Sequence, residues 1–169
     1  MKTILMDTRE KVKQNSDLVD DLTAMGIKIV RSKLYVGDYT RIDNMTVCVD
    51  TKFGMAEVYS NVIQDHERFK RELLAAKDAG IRLIVLVEES GIQTVQDVAM
   101  WKNPRIRRYS RMTQAMQQAQ KPPVPSERLS RIMQTMADKY GVEWMFCDKR
   151  DTAKRICEIL DLEVNENEQ

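Results

Sequence analysis

Three residues of the chain, Asp38, Asp50 and Lys52, have the types and the spacing that phosphodiester hydrolysis requires. That reaction needs a hard divalent cation held by oxygen ligands, a water activated beside it, and a positive charge that offsets the charge building on the phosphate. We expect the two aspartates to hold the cation and the lysine to position the water or the phosphate. A solvated, charged hairpin edge would carry the same residues, so the pattern alone leaves both interpretations open.

A predicted β-hairpin brings these residues together. The chain passes Gly37 into one strand, turns at Asp43-Asn44, and returns along Met45 to Asp50. Because side chains alternate along a strand, Asp50 and Lys52 share one face of the returning strand with Cys48. The opposite face carries Met45, Val47 and Val49.

Helical and strand patterns alternate along the rest of the chain. The continuous apolar run Ile81 to Val87 is typical of a central strand that is covered on both faces and paired in parallel, which indicates an α/β fold. The other predicted elements are a strand at Thr3 to Met6, a helix capped by Asn15 or Ser16, a strand at Ile27 to Val30, a helical region from Met55 to Ala79 broken near Asp65, a short helix at Thr94 to Trp101, a helix capped by Ser126, a strand at Val142 to Cys147, and a helix from Asp151 to Leu160.

Composition places the chain among ordinary globular proteins. Its 169 residues are 43% hydrophobic and 31% charged, which favours one domain over residues 1–162, followed by an acidic tail, 163–169, that we expect to be disordered. No apolar run reaches the ~20 residues of a membrane-spanning helix, and charged residues come too early for a signal peptide, so we expect a cytoplasmic protein. Cys48, Cys147 and Cys157 lack paired spacing, which indicates core residues.

A basic insertion at about residues 101–125 follows the short helix. No acid occurs between Asp97 and Glu127, and the insertion ends in a proline-rich connector. Bases mixed with Trp101 and Tyr109 suit phosphate contact and stacking on an unpaired base, although an ordinary charged loop would look the same. The predicted DNA-binding residues of this insertion are Lys102, Arg105, Arg107, Arg108 and Arg111.

Four methionines at helical spacing and the single histidine are better explained by packing and surface exposure than by a functional site. Met112, Met116, Met133 and Met136 indicate core packing or a packing face for a second copy of the chain, in a homodimer. His66 lies in a charged helix and is expected to be a surface residue.

The chain resembles the XPF-type nucleases, a branch of the PD-(D/E)XK superfamily, in three linked motifs. They are Asp7-Thr8-Arg9-Glu10 after the first strand, then Leu34 to Tyr39 with Gly37-Asp38-Tyr39, then Val49 to Lys52. The family has Asp-x-Arg-Glu, Gly-Asp-Tyr and Glu-Arg-Lys in that order. The resemblance implies a restriction-endonuclease-like α/β fold with a central mixed sheet flanked by helices. It fades from Trp101 to Pro125 and returns from Tyr140 to Leu160.

The resemblance also implies which residues form the site. Asp7, Glu10, Asp38, Asp50 and Lys52 would be catalytic; of these, Asp7, Asp38 and Asp50 would bind Mg²⁺ or Mn²⁺. Arg9 and Arg68 would face DNA. Asp7 and Glu10 could instead cap the first helix or pair with Lys11 and Lys13. Arg68 could instead belong to a solvated helix face. The sequence departs from the family where Thr51 replaces the middle arginine and Ala56 replaces an aspartate, for which Glu57 is a near substitute.

We therefore expect a metal-dependent endodeoxyribonuclease that hydrolyses branched or flapped DNA, or DNA with single-stranded segments, in repair, recombination or replication, without a membrane partner. The sequence ends without the tandem helix-hairpin-helix domain of many relatives, which favours a stand-alone bacterial or viral enzyme within the host cell. Two alternatives stay open: a non-catalytic DNA-binding scaffold of the same fold, against which the intact acids and lysine argue, and a PD-(D/E)XK nuclease of another kind.

Overall fold

The computed structural model describes residues 2–10 and 15–163, and within them six strands form one mixed sheet. The spatial order of the strands is β2-β1-β3-β4-β5-β6. The strands are β1 (Thr3–Asp7), β2 (Lys28–Ser32), β3 (Tyr39–Arg41), β4 (Val47–Lys52), β5 (Arg82–Glu88) and β6 (Glu143–Cys147). The α-helices are α1 (Ser16–Ala24), α2 (Met55–Tyr59), α3 (His66–Asp78), α4 (Pro104–Ser110), α5 (Gln114–Gln118), α6 (Ser126–Tyr140) and α7 (Thr152–Ile159).

The pairing of the strands confirms the predicted mixed sheet. β3 and β4 form the predicted antiparallel hairpin, with Tyr39 opposite Val49. β5 lies between β4 and β6 and is parallel to both, as its continuous apolar run predicted. On the other side of the hairpin, β1 pairs antiparallel with β3 and parallel with β2. The hairpin therefore lies at the centre of the sheet.

Each face of the sheet is covered by its own group of helices. α2, α3 and α6 cover one face, where Phe69 packs in a cluster with alternate β5 residues. α1 and α7 cover the other face, where Leu22 and Ile156 pack against residues of β1, β4 and β5. Burying one large apolar side chain of this kind stabilises the fold by roughly 1.5–3 kcal/mol, so the two cores fix the position of the hairpin between them.

Three local details differ from the predicted elements. The predicted break near Asp65 is present, but a π-helical turn, Ser60–Gln64, precedes it, because the Asp65 N–H donates to the Ser60 carbonyl five residues back. The predicted short helix at Thr94 to Trp101 is a 3₁₀ turn at Gln96–Met100. The prediction that Ser126 caps α6 is wrong, since its hydroxyl donates to the Trp101 carbonyl and Pro125 holds the cap position.

Cysteines and the α6 methionines occupy core positions. The three cysteines carry free thiols; Cys48 and Cys157 are buried, which confirms the expected packing role. Met133 and Met136 are buried in α6, whereas 52% of Met116 is exposed. In the part of the chain that the structure describes, no helix is long and apolar enough to cross a membrane. Residues 164–169 of the predicted acidic tail, and Lys11 and Lys13, lie outside the described residues.

We predict that Gly37→Ala destabilises the fold more than Gly80→Ala. Both glycines have positive φ, +71° and +67°, so either alanine costs about 1–2 kcal/mol of backbone strain. At Gly37 the added Cβ would also lie 3.1 Å from the Val49 carbonyl oxygen and 3.2 Å from the Cys48 Cβ, whereas Gly80 has open space. Overpacking should add about 1–3 kcal/mol. Urea denaturation at pH 7 measures the difference, and equal losses would contradict the tight approach of the hairpin at Gly37.

Candidate active site

The strand β4 carries a buried ion pair. Asp50 and Lys52 have relative accessibilities of only 4% and 8%, and they share the face of β4 that packs toward α3, as the predicted alternation requires. The Lys52 Nζ lies 3.0 Å from both carboxylate oxygens of Asp50 and donates a hydrogen bond to Oδ1. The Asp50 Oδ2 has the ion-pair contact but no hydrogen-bond partner. One buried carboxylate oxygen therefore keeps an open coordination position.

The charge of Lys52 is preserved despite its burial. Loss of hydration by itself would lower the pKa of the Lys52 ammonium, but the charges of Asp50 and Asp38 outweigh this effect and raise the pKa. The ammonium also lies 5.9 Å from the centre of the Phe69 ring, so an aromatic face covers it from the α3 side. The site therefore holds a fixed positive charge next to its carboxylates.

Asp38 reaches the same place from the neighbouring strand. Gly37, in a left-handed conformation, turns the chain into β3, and the Asp38 N–H donates to the Val49 carbonyl at 2.8 Å. The Asp38 Oδ2 accepts hydrogen bonds from the Thr51 N–H at 2.7 Å and the Thr51 hydroxyl at 2.9 Å. Thr51, the residue that replaces the family's arginine, thus clamps the carboxylate against β4.

Carboxylates repel one another around Asp38. Burial, then the negative charges of Asp50 and Glu10, raise the pKa of the Asp38 carboxyl well above its ordinary value. The two predicted metal ligands therefore lie close enough for their charges to interact. Such crowding favours binding of a cation or a proton.

Glu72 of α3 is a further acid of this cluster, and it was missed by the sequence analysis. Its Oε1 accepts a long hydrogen bond, 3.4 Å, from the Gly37 N–H, and burial followed by the charge of Asp50 raises the pKa of its carboxyl. A signal was present in the sequence. Glu72 lies three residues after Phe69 and next to Leu73, at the border of the apolar stripe that α3 presents to the sheet.

Asp7 and Glu10 lie beside the cluster in different roles. The Asp7 carboxylate accepts hydrogen bonds from the Arg9 backbone and guanidinium and from the Leu34 N–H, which engage both of its oxygens. The Asp7 N–H donates to the Asp38 carbonyl at 2.8 Å. The Glu10 carboxylate accepts from the Asn15 side-chain amide at 2.9 Å. Asp7 therefore braces the segment that carries Asp38, and its predicted role as a metal ligand stays a prediction.

The donor set fits a hard divalent cation. Asp50 Oδ2 is buried without a hydrogen bond, and Asp38 Oδ1 accepts none from the described residues. Mg²⁺ is usually held by one or two carboxylates, with waters and phosphate oxygens completing its shell. Among residues 2–10 and 15–163, no group of three or more histidine, cysteine, aspartate or glutamate side chains is placed so that it could hold a metal ion. Asp38 and Asp50 are therefore the two carboxylates that would hold a cation together with waters and phosphate oxygens.

The predicted DNA-binding residues separate into groups. Arg9 pairs with Asp7, with 64% of its side chain exposed, and Arg68 is exposed on α3. Arg105 and Arg108 of α4 line one pocket, whereas Lys102 and Arg107 line another groove. Arg111 is exposed just after α4. The structure therefore distributes the bases of the insertion over different faces.

Comparison with known proteins identifies the family. A family model described as the ERCC4 domain matches residues 6–159. The chain belongs to the ERCC4 domain family. The match spans every residue of the candidate site described above, from Asp7 to Glu72, and it confirms the resemblance to XPF-type nucleases that the three motifs indicated.

Solved structures show the same fold. XPF from Aeropyrum pernix matches this ERCC4 domain with a TM-score of 0.60 and 16% identity, over 94% of this chain and 63% of that chain. XPF from Aeropyrum pernix in complex with DNA matches with a TM-score of 0.60 and 16% identity, over 95% of this chain and 64% of that chain. This chain spans slightly less than two thirds of those XPF chains. No curated protein sequence gives a match.

We predict that Asp7→Asn lowers the free energy of unfolding by about 1–3 kcal/mol at pH 7, because it removes charge-assisted hydrogen bonds. Burial alone would raise the pKa of the Asp7 carboxyl, but the hydrogen bonds from Arg9 and Leu34 lower it. The ionised carboxylate therefore contributes stability above its ordinary pKa of 3.8, and this contribution is lost as the pH falls through the lower folded value. Denaturation at several pH values measures it. Asp20→Asn, at an exposed position of α1, is the control, and an equal effect would contradict the bracing role.

We predict opposite effects of Glu72→Gln on stability and on metal binding. Without metal, removal of this negative charge should raise the free energy of unfolding, because burial and the charge of Asp50 disfavour the ionised Glu72 carboxylate. With metal, the same change should weaken Mg²⁺ or Mn²⁺ binding several-fold. Thermal denaturation and calorimetric titration measure the two effects. Glu67→Gln on the same helix, where 73% of the glutamate side chain is exposed, should change neither. Unchanged metal affinity in Glu72→Gln would remove Glu72 from the site.

Proposed function

We propose that this ERCC4 domain is a divalent-metal-dependent endodeoxyribonuclease that hydrolyses phosphodiester bonds. The observation that supports it best is the buried Asp50–Lys52 pair with Asp38 beside it. Desolvating two opposite charges is expensive, and well-packed apolar residues would often stabilise a core as well or better. Buried, strongly interacting charges that keep an open carboxylate oxygen are typical of functional sites.

Asp50, Asp38 and Lys52 each have a distinct proposed role. Asp50 Oδ2 and Asp38 Oδ1 would hold Mg²⁺ or Mn²⁺; when bound, the metal supplies Lewis-acid activation of the phosphate and of a water. The Thr51 clamp keeps the Asp38 carboxylate turned toward β4. Lys52, held by Asp50, would donate a hydrogen bond to the attacking water or to a non-bridging phosphate oxygen as negative charge builds there.

Four further side chains are proposed to support this centre. Asp7 would position Asp38 through the backbone hydrogen bond between them, and Arg9, largely exposed, would contact a substrate phosphate. Glu10 and Glu72 would add negative potential that increases the affinity for the cation. All of these groups lie around the start of β3 and the end of β4.

DNA is the proposed substrate, in a branched or flapped form or with single-stranded segments, during repair, recombination or replication. The shared fold with an XPF protein solved in complex with DNA supports DNA, and the acid-free insertion with its exposed bases supports contact with phosphates. We further propose that the protein acts in the cytoplasm of a bacterial or virus-infected cell. We also propose that it forms a homodimer, which sedimentation would test.

A substrate panel tests the proposed function. Labelled duplex, single-strand, flap, fork and four-way-junction DNAs would be incubated with Mg²⁺, Mn²⁺ or chelator. We expect cleavage with either metal, preference for the branched forms, and none with chelator. DNA binding without cleavage under every condition would support a non-catalytic scaffold instead. Preference for intact duplex at fixed sequences would indicate another kind of PD-(D/E)XK nuclease.

We predict that Asp50→Asn lowers the cleavage rate about a hundredfold or more and leaves DNA binding intact or stronger. The substitution keeps the shape of the side chain but removes the charge that a cation needs, and it also removes a negative charge that repels phosphate. Cleavage rates with Mg²⁺ and binding in chelator measure the two effects. Asp43→Asn, at the exposed turn of the same hairpin, should behave like the unmodified chain. Full activity of Asp50→Asn would falsify the proposed site.

A further inference from the structure

A pocket between α2, the following π-helical turn and the insertion has the features of a nucleotide site. It has a volume of about 480 Å³, within the range typical of sites for small molecules. We name it the insertion pocket and define it by six of its lining residues: Tyr59, Gln64, Arg105, Arg108, Tyr109 and Lys121. Three cations and two aromatic rings line it, and none of its lining residues is acidic.

The walls of the insertion pocket are fastened to the rest of the domain. The Tyr59 hydroxyl accepts a hydrogen bond from the Val124 N–H at 2.8 Å, and the Arg105 guanidinium donates to the Ser60 hydroxyl at 2.9 Å. Gln117 and Tyr109 exchange two hydrogen bonds that join α5 to α4. These contacts give the insertion a defined shape, in contrast to the flexible loop that its charge pattern also allowed.

The arrangement of groups suits a base together with its phosphate. The Arg105 guanidinium lies 4.5 Å from the centre of the Tyr59 ring, so a planar cation is already stacked on an aromatic face within the insertion pocket. Arg108 and Lys121 add positive charge to the same concavity. Bases stack on aromatic rings and guanidinium planes, and phosphates pair with arginine and lysine. A paired base is stacked within its duplex, so a concave pocket of this kind selects an unpaired one.

The insertion pocket is also close to the candidate active site. Tyr59 ends α2, which begins three residues after Lys52. The four steps along α2 at a helical rise of 1.5 Å cover about 6 Å, and the three steps from Lys52 to Met55 cover at most about 11 Å, so Lys52 and Tyr59 lie within about 17 Å, or about five nucleotide steps at 3.4 Å each. A DNA strand that has a phosphate at Lys52 would therefore reach the insertion pocket within a few nucleotides.

We propose that the insertion pocket binds one unpaired nucleotide of the DNA strand, with its phosphate at Arg108 and Lys121 and its base against Arg105 or Tyr109. This inference rests on the proposed function, because it assigns the single-stranded part of the substrate to a specific place. The insertion pocket would thereby select DNA in which single-stranded and duplex segments meet.

Neighbouring arginines on α4 provide a matched test. Arg108 lines the insertion pocket, whereas Arg107 lines the groove on the other side of the insertion, and both side chains are exposed. Binding of an end-labelled oligothymidylate and of a duplex would be measured by fluorescence anisotropy in chelator. We expect Arg108→Ala and Lys121→Ala to weaken oligothymidylate binding about tenfold, and Arg107→Ala no more than about twofold. Duplex binding should change equally in the Arg107 and Arg108 variants.

The outcomes separate this inference from the proposed function. Equal losses of oligothymidylate binding in the Arg107 and Arg108 variants would overturn the proposal that the insertion pocket binds a nucleotide, because they would indicate a diffuse basic surface. Undiminished cleavage of flap DNA by Arg108→Ala, at substrate concentrations below saturation, would also overturn it and leave the nuclease intact. Pocket-dependent oligothymidylate binding by a chain that cleaves no DNA would support the insertion pocket and reject the nuclease. Unchanged thermal denaturation confirms that the variants are folded.

Discussion

The buried ion pair between Lys52 and Asp50 is the constraint around which the rest of this domain is arranged. Two charges withdrawn from water at adjacent positions on one strand face are tolerable only when their geometry is fixed and each satisfies the other. The central position of β4, paired on both sides, provides that rigidity. The two apolar cores, one on each face of the sheet, hold the strand in register.

Excess negative charge is the second property of the site. Asp38 arrives from β3 and Glu72 from α3, and both meet the charge of Asp50, which Lys52 only partly offsets. A protein that gathers carboxylates in this way favours a bound cation, because the cation converts mutual repulsion into shared attraction. The Thr51 hydrogen bonds keep Asp38 close to its like-charged neighbour in spite of that repulsion.

α2 connects the two functional regions of the molecule. Its first turn follows the ion pair, and its last residue, Tyr59, forms a wall of the insertion pocket. The match to the ERCC4 domain covers the sheet, the candidate site and the insertion, whereas the three motifs of the resemblance all lie before the insertion. A helix that reaches from the candidate site to the insertion offers a direct route by which one DNA strand would contact both under the proposed function.

The sequence by itself determined the hairpin, the central strand β5, and the shared strand face of Asp50 and Lys52, because alternation and apolar runs are local properties of the chain. The cap of α4 is also a local property, since Asn103-Pro104 is a typical helix start. Three features of the site became visible in the folded protein alone: Arg9 and Leu34 engage Asp7, Glu72 joins the acids, and Arg107 and Arg108 face different cavities. These outcomes depend on contacts between residues distant in sequence and on the rotation of a helix, which charge and spacing leave open.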